Sequence, residues 1–171
     1  MNETEGNKST EYQIKRLPKF ERTLKDLIKN HYRRNKSDLQ KFEVMIEDCL
    51  ENELKLDPCA DKTSDSLSFP AGTAEQGFEF RKKRWRNLPG LKGAAKFGRL
   101  IFLVYHPLRI VYLIWIYTHE EFQKPPDTQP PAKELKEQVN IAKIEAETIS
   151  RDSDIDITIE SETPEITDTD T

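Results

Sequence analysis

The chain has 171 residues, of which 34% are charged, and a formal net charge of -4; its mean hydropathy is -0.79. That composition fits one small domain with a modest core, together with a polar segment that is not core at all. The polar opening MNETEGNKSTE lacks the apolar stretch of a signal peptide, so residues 1–10 read as a flexible N-terminus and secretion is not expected. Cys49 and Cys59 have neither the spacing nor the neighbouring His of a zinc motif. They read as free thiols in a reducing cytoplasm, and no metal or cofactor is expected.

In chain order, residues 12–15 can form a short strand. LPKFERTLKDLIKNHY then places Leu17, Phe20, Leu24, Leu27 and Ile28 on one helical face, with Lys and Arg opposite. After a polar turn at Arg33, Arg34, Asn35 and Lys36, a second helix is predicted from Ser37, where SDLQ has the form of a capping box. Its apolar face is Leu39, Phe42, Ile46, Cys49 and Leu50, and the two helices make a hairpin. Residues 57–76, DPCADKTSDSLSFPAGTAEQ, follow neither period and read as a long, mobile connection.

The β signal lies beyond. GFEFRKKRWR, GRLIFLVYHP and RIVYLIWIYT are rich in β-branched and aromatic residues, with a turn at His106, Pro107 and Leu108 between the last two. Residues 100–118 are about as long as a membrane span, but His106, Pro107 and Arg109 in the middle favour a hairpin of strands. The expected fold is therefore α+β, a helical hairpin packed on a small antiparallel-rich sheet within residues 11–124. PPDTQPP closes that domain, since proline disfavours both helix and strand.

Charge divides along the same line. Residues 1–124 carry 23 Lys and Arg against 18 Asp and Glu, whereas residues 125–171 carry 4 against 13. Within this acidic tail KELKEQVNIAKIEAETI can form a short helix, and RDSDIDITIESETPEITDTDT reads as disordered because its isolated Ile residues cannot offset chain entropy. The tail either solubilises the chain or folds over a cationic surface and competes for it.

Such a surface is evident in RKKRWRNLPGLKGAAKFGR, residues 81–99, which hold eight cationic side chains and no acidic one. Like charge concentrated in this way repels itself, and an anionic partner would relieve it. On a strand, Lys82, Arg84 and Arg86 share one face while Arg81, Lys83 and Trp85 share the other. If Phe78 and Phe80 face the core, alternation favours Arg81 and Lys83 as the cleft residues.

The order of these elements resembles the RelE/ParE superfamily of toxins from bacterial toxin-antitoxin modules. The resemblance covers residues 12–124 and rests on FERTLKDLIKNHYRRNKSDLQKF, then FRKKRWR, GRLIFLVY and IVYLIWIYTHEEF. That family has a Lys/Arg-bearing strand, a glycine-rich basic loop, a Gly-x-Arg-like strand entry and a last strand ending in Tyr-x-Lys or Tyr-x-His. Here KKRWR, LPGLKGAAK, GR and YTH stand in those places, although GAAKFGR is less glycine-rich than many members and carries the bulky Phe97.

The resemblance implies a metal-independent endoribonuclease that cleaves mRNA, in many members on the ribosome, inhibits translation, and is blocked by a cognate antitoxin in the cytoplasm without a membrane. Such chemistry needs a base for the 2′-OH, positive charge for the phosphorane and an acid for the 5′-oxygen. The family pattern puts Lys82 and Arg84 near the catalytic cations whereas alternation favours Arg81 and Lys83; with the register left open between the two, Lys83 and Arg84 are carried as leading candidates and Lys82 as a third. Gly98-Arg99 matches the strand entry and assigns Arg99 to the scissile phosphate. His119 is the proton-transfer candidate, with Tyr117 assisting or stacking on a base. Arg81, Lys82, Arg86, Lys92 and Lys96 are expected RNA contacts. A gyrase-directed ParE-like toxin and a degenerate binding protein are the alternatives, because a shared fold does not choose among them.

Overall fold

The computed structural model describes residues 10–122 and 129–160, with side chains through residue 154. Along it run β1 (Gln13–Arg16), α1 (Pro18–His31), α2 (Lys36–Cys49) with a π-helical turn at Leu50–Leu54, β2 (Asp65–Ser66), β3 (Phe78–Trp85), β4 (Gly98–Tyr105), β5 (Ile110–Thr118) and α3 (Ala132–Glu160). The expected α+β class is the one observed. Strand order is β1-β5-β4-β3-β2, with β1 parallel to β5 and the remaining pairs antiparallel.

The two helices α1 and α2 and the three long strands β3, β4 and β5 follow directly from the sequence pattern. The turn at residues 106–109 joins β4 to β5, with Arg109 in the left-handed region at φ 50°. Phe20 and Leu27 of α1 and Phe42, Ile46 and Cys49 of α2 share one apolar cluster with Phe102, Val104, Val111, Leu113 and Ile116 of the sheet. Proline opens α1, and the Leu17 N–H donates to the Leu113 carbonyl at 3.1 Å, tying the helix start to β5. Leu17 itself packs on the opposite sheet face rather than with the rest of its predicted stripe.

The cap of α2 is Asn35, not Ser37. Asn35 Oδ1 accepts from the Asp38 N–H at 3.1 Å, while its Nδ2 donates to the Asp38 carboxylate at 2.7 Å. The cap thus lies two residues earlier than the predicted Ser-x-x-Gln box, and in place of that box's return bond to the cap backbone N–H the two side chains bond to each other.

The second face of the sheet is covered by α3, a packing that the sequence reading did not assign. Leu135, Val139, Ala142 and Ala146 recur at helical spacing and lie with Phe78, Phe80, Leu103, Tyr112 and Ile114. Ion pairs Lys19–Glu134 at 3.4 Å and Lys15–Glu145 at 3.2 Å flank that stripe. The helix predicted after the prolines is therefore present and packs on the core, and it runs on to Glu160, which corrects the reading of residues 151–160 as disordered; residues 161–171 of the acidic segment lie outside the described residues. Among the described residues, no helix is long and apolar enough to cross a membrane.

The connection at residues 57–76 is anchored by an unexpected side chain. Arg81, only 7% exposed, donates from Nε to Ser64 Oγ at 2.9 Å and from Nη2 to the carbonyls of Ser64 at 2.6 Å and Cys59 at 3.1 Å. A guanidinium with five fixed donors can organise a loop whose own backbone groups form little regular structure.

Candidate nucleic-acid interface

Where the sheet meets the basic loop, the strand register builds a row of three candidate side chains. Arg84 of β3 lies opposite Arg99 of β4, and Arg99 lies opposite Tyr117 of β5. An irregularity in β5 makes the row possible. Phe102 pairs with Leu113 but Ile101 pairs with Trp115, which leaves Ile114 as an extra residue. The bulge reverses the alternation. Tyr112 and Tyr117, five positions apart, therefore share the second face, as their common apolar cluster shows.

Lys82 shares the face of Arg84 and stands two residues from it, so three cations crowd one end of the sheet. Burial and neighbouring charge together show in the proton affinities of two of them. Burial, then Arg84 and Arg99, lowers the Lys82 ammonium below the usual lysine range, and burial followed by Arg84 lowers the Arg99 guanidinium. Arg84 has a partial counter-charge in Asp65, with Nε 3.2 Å from Oδ2. The Arg99 Nη1 donates to the Gly98 carbonyl at 2.9 Å. An anion between these groups would receive charge-assisted hydrogen bonds from groups already in place.

Arg81 and Lys83 do not belong to that row. Alternation puts them on the α1–α2 face, where Arg81 holds the 57–76 connection and Lys83 Nζ lies 2.7 Å from the Glu53 carboxylate. Burial demands internal partners for such charges, and both the expected RNA contact Arg81 and the catalytic candidate Lys83 have them. The leading pair Lys83 and Arg84 is split between faces, and Lys82 with Arg84 is the pair that shares one.

The remaining cations flank the row less closely. Arg86 and Lys92 are exposed, and Lys96 sits over the Phe97 ring with Nζ 5.1 Å from its centroid. His119 lies just past β5, its N–H donating to the Phe97 carbonyl at 2.8 Å and its ring edge-on to Phe97 at 6.4 Å. The bulky Phe97 thus supports His119 rather than simply stiffening the loop. Near this end, a surface hollow of about 380 Å³ is lined by Lys29, Asn30, His31, Arg33 and Arg34, and His31 Nε2 is 3.9 Å from Glu120. The Arg-Arg doublet was the sequence signal for this second basic surface.

Tyr117 is 1% exposed, and its ring meets Phe122 edge-on at 5.2 Å. Burial pushes its hydroxyl up to about 12, against the opposing influence of Arg99 and Arg84. Glu121, which the sequence reading passed over, acts electrostatically on the same hydroxyl. Desolvation raises the Glu121 carboxyl above the usual carboxylate range, although much of the residue faces solvent. The groups that act on it besides burial are the Thr118 backbone, Asp26 and Glu120, and a carboxyl shifted upward in this way is a candidate for proton transfer.

Sequence spacing also concealed a second cluster at the other end of the sheet. Cys59, Glu79 and His106 bring one thiol, one carboxylate and one imidazole within 4.8 Å of one another. The reading of Cys59 as lacking a His companion is corrected here: His106 is 47 positions away in sequence and reaches it only through the β4–β5 turn. Burial and then the Glu79 carboxylate push the Cys59 thiol up to about 12.

Comparison of the chain with protein-family models gives no match, and comparison with curated proteins gives none.

Proposed function

We propose that the chain acts on mRNA as a RelE/ParE-like endoribonuclease that inhibits translation. The observation that carries this reading is the Arg84–Arg99–Tyr117 row with Lys82 beside it. Guanidinium groups recognise phosphate through paired donors, and an RNA phosphate relieves repulsion that the folded protein otherwise bears. Attack by a 2′-OH on phosphorus breaks the bond to the 5′-oxygen and leaves a 2′,3′-cyclic phosphate and a 5′-hydroxyl. Arg99 and Arg84 stabilise the negative charge that grows on the phosphoryl oxygens. His119 and Glu121, on either side of Glu120 past the end of β5, transfer the protons. An RNA target places the protein in the cytoplasm, and an acidic antitoxin segment is the partner that would neutralise the same cations.

A second reading, RNA binding without turnover, is favoured by the burial of Tyr117 and its cover by Phe122. Incubating the full chain with mRNA, with and without ribosomes, and mapping the ends distinguishes the two. Cyclic-phosphate ends that disappear in Arg99→Ala support cleavage. Steeply salt-dependent binding without new ends supports the second reading; on expression in a bacterial host, growth arrest with DNA damage but no RNA effect points to a gyrase-directed toxin.

A further inference from the structure

Cys59, Glu79 and His106 come from three separated parts of the chain: the loop after α2, strand β3, and the β4–β5 turn. The imidazole Nε2 is the point on which they converge. It lies 3.9 Å from Cys59 Sγ and 3.1 Å from Glu79 Oε2. Around a tetrahedral zinc, bonds of about 2.3 Å to sulfur and about 2.0 to 2.1 Å to nitrogen and oxygen put S and N roughly 3.5 Å apart and N and O roughly 3.3 Å apart. Both observed separations fall within about half an ångström of those values.

A further contact completes the pattern. The Tyr12 hydroxyl is 3.0 Å from Nδ1, the other nitrogen of the His106 ring. The Arg109 guanidinium lies 5.6 Å from the centroid of the Tyr12 ring and donates to the Thr10 carbonyl at 2.6 Å. Metal-bound imidazoles use the second ring nitrogen in this way to fix tautomer and orientation. We propose that Cys59, Glu79 and His106 bind one zinc-class divalent cation, with Tyr12 as the positioning residue and the fourth coordination position open to solvent. His106 and Glu79 have side chains 40% and 45% exposed, which leaves an entry path. Thiolate and imidazole ligands favour Zn²⁺ over Ca²⁺ or Mg²⁺.

The same three residue types also occur in nucleophilic triads, but the geometry differs. A triad sets the thiol on one ring nitrogen and the orienting acid on the other. Here thiol and carboxylate approach Nε2 together, and Tyr12 occupies Nδ1. The bound cation would clip the loop after α2 and the β4–β5 turn onto β3. It sits apart from the arginine row, since Glu79 and Arg84 are five residues apart on one strand, roughly 17 Å. The proposal therefore stands independently of any RNA chemistry.

The test uses the full-length chain stripped with chelator, titrated with Zn²⁺ by calorimetry and with Co²⁺ by absorbance. One equivalent is expected to bind, with a thiolate-to-cobalt charge-transfer band and a raised unfolding midpoint. Cys59→Ser and His106→Gln abolish the band, Cys49→Ser retains it, and Tyr12→Phe weakens affinity by about 10- to 100-fold. Circular dichroism of each apo variant separates loss of a ligand from loss of fold, and the isosteric Tyr12→Phe gives a milder arm. Absence of stoichiometric uptake by the wild type, a band that follows Cys49, or undiminished affinity in Cys59→Ser would overturn the assignment. Rapid alkylation of Cys59 without metal uptake would overturn it in favour of a nucleophile.

Discussion

Arg84 and Arg99 face one another across the β3–β4 pair, two permanent positive charges in direct cross-strand register. Opposed like charges destabilise a sheet, so this pair is better explained by what it binds than by what it contributes to folding. Replacing Arg99 with Ala is expected to leave stability within about 0.5 kcal/mol or raise it, while RNA affinity falls. Denaturant midpoints alongside fluorescence anisotropy separate the two effects. A large loss of stability with unchanged affinity would make Arg99 structural.

The salt dependence of RNA binding carries the same information in another form. Each phosphate contact on a single strand contributes about 0.7 to the slope of log affinity against log salt. Arg84→Ala and Arg99→Ala should each flatten that slope by about this amount. Arg81→Ala should leave the slope unchanged, because its guanidinium is bonded to Ser64 and Cys59.

Lys83 provides the opposite control. Its ion pair with Glu53 has side chains 10% and 35% exposed. Removing one partner from such a site costs more than the ~1 kcal/mol of a surface pair and less than the ~3–5 kcal/mol of a fully buried one. Lys83→Met is expected to lower the urea midpoint while leaving RNA affinity unchanged. A selective loss of affinity would return Lys83 to the interface.

These contrasts show where the sequence was readable. The two amphipathic helices, the three long strands and the Pro107 turn were legible because each follows a simple period or a conformational constraint in one residue type. Alternation also placed Arg81 and Lys83 correctly opposite Phe78 and Phe80. The inference that they therefore line a cleft failed, because the first face is covered too, by α1 and α2. Neither the Ile114 bulge nor the docking of α3 is visible in local pattern. The bulge turns Tyr117 towards Arg99, and the stripe Leu135, Val139, Ala142, Ala146 is short and interrupted by charge. Cys59 and His106 are separated by three strands, β2, β3 and β4, and the loops between them, so spacing could not join them.

α3 changes how the acidic segment should be tested. Removing everything after residue 131 would uncover Phe78, Phe80, Tyr112 and Ile114, and the product is expected to aggregate. Leu135→Ala should cost about 2–5 kcal/mol. Truncation after Glu160 preserves the helix and isolates the effect of the last eleven residues. Unchanged RNA affinity in that variant would exclude competition by those residues.

Stability is expected to fall in alkali. Burial pushes Cys49 from 9.0 up to about 12, and burial likewise pushes Tyr117 from 10.0 to about 12. The unfolded chain releases these protons first, so stabilisation present below pH 9 declines as pH rises from 9 towards 12. Urea midpoints across that range check the direction, and Cys49→Ala should flatten the onset. A midpoint that rises with pH over the same interval would show that these groups ionise in the folded state.

The most direct test of the central claim is the mapping of RNA ends after incubation of mRNA and ribosomes with the wild type or with Arg99→Ala. The wild type is predicted to generate new 2′,3′-cyclic phosphate ends, and Arg99→Ala, folded and equally stable, to generate none. Equal cleavage by the two proteins, or neither cleavage nor RNA binding by the wild type, would contradict the assignment of the arginine row to RNA phosphate.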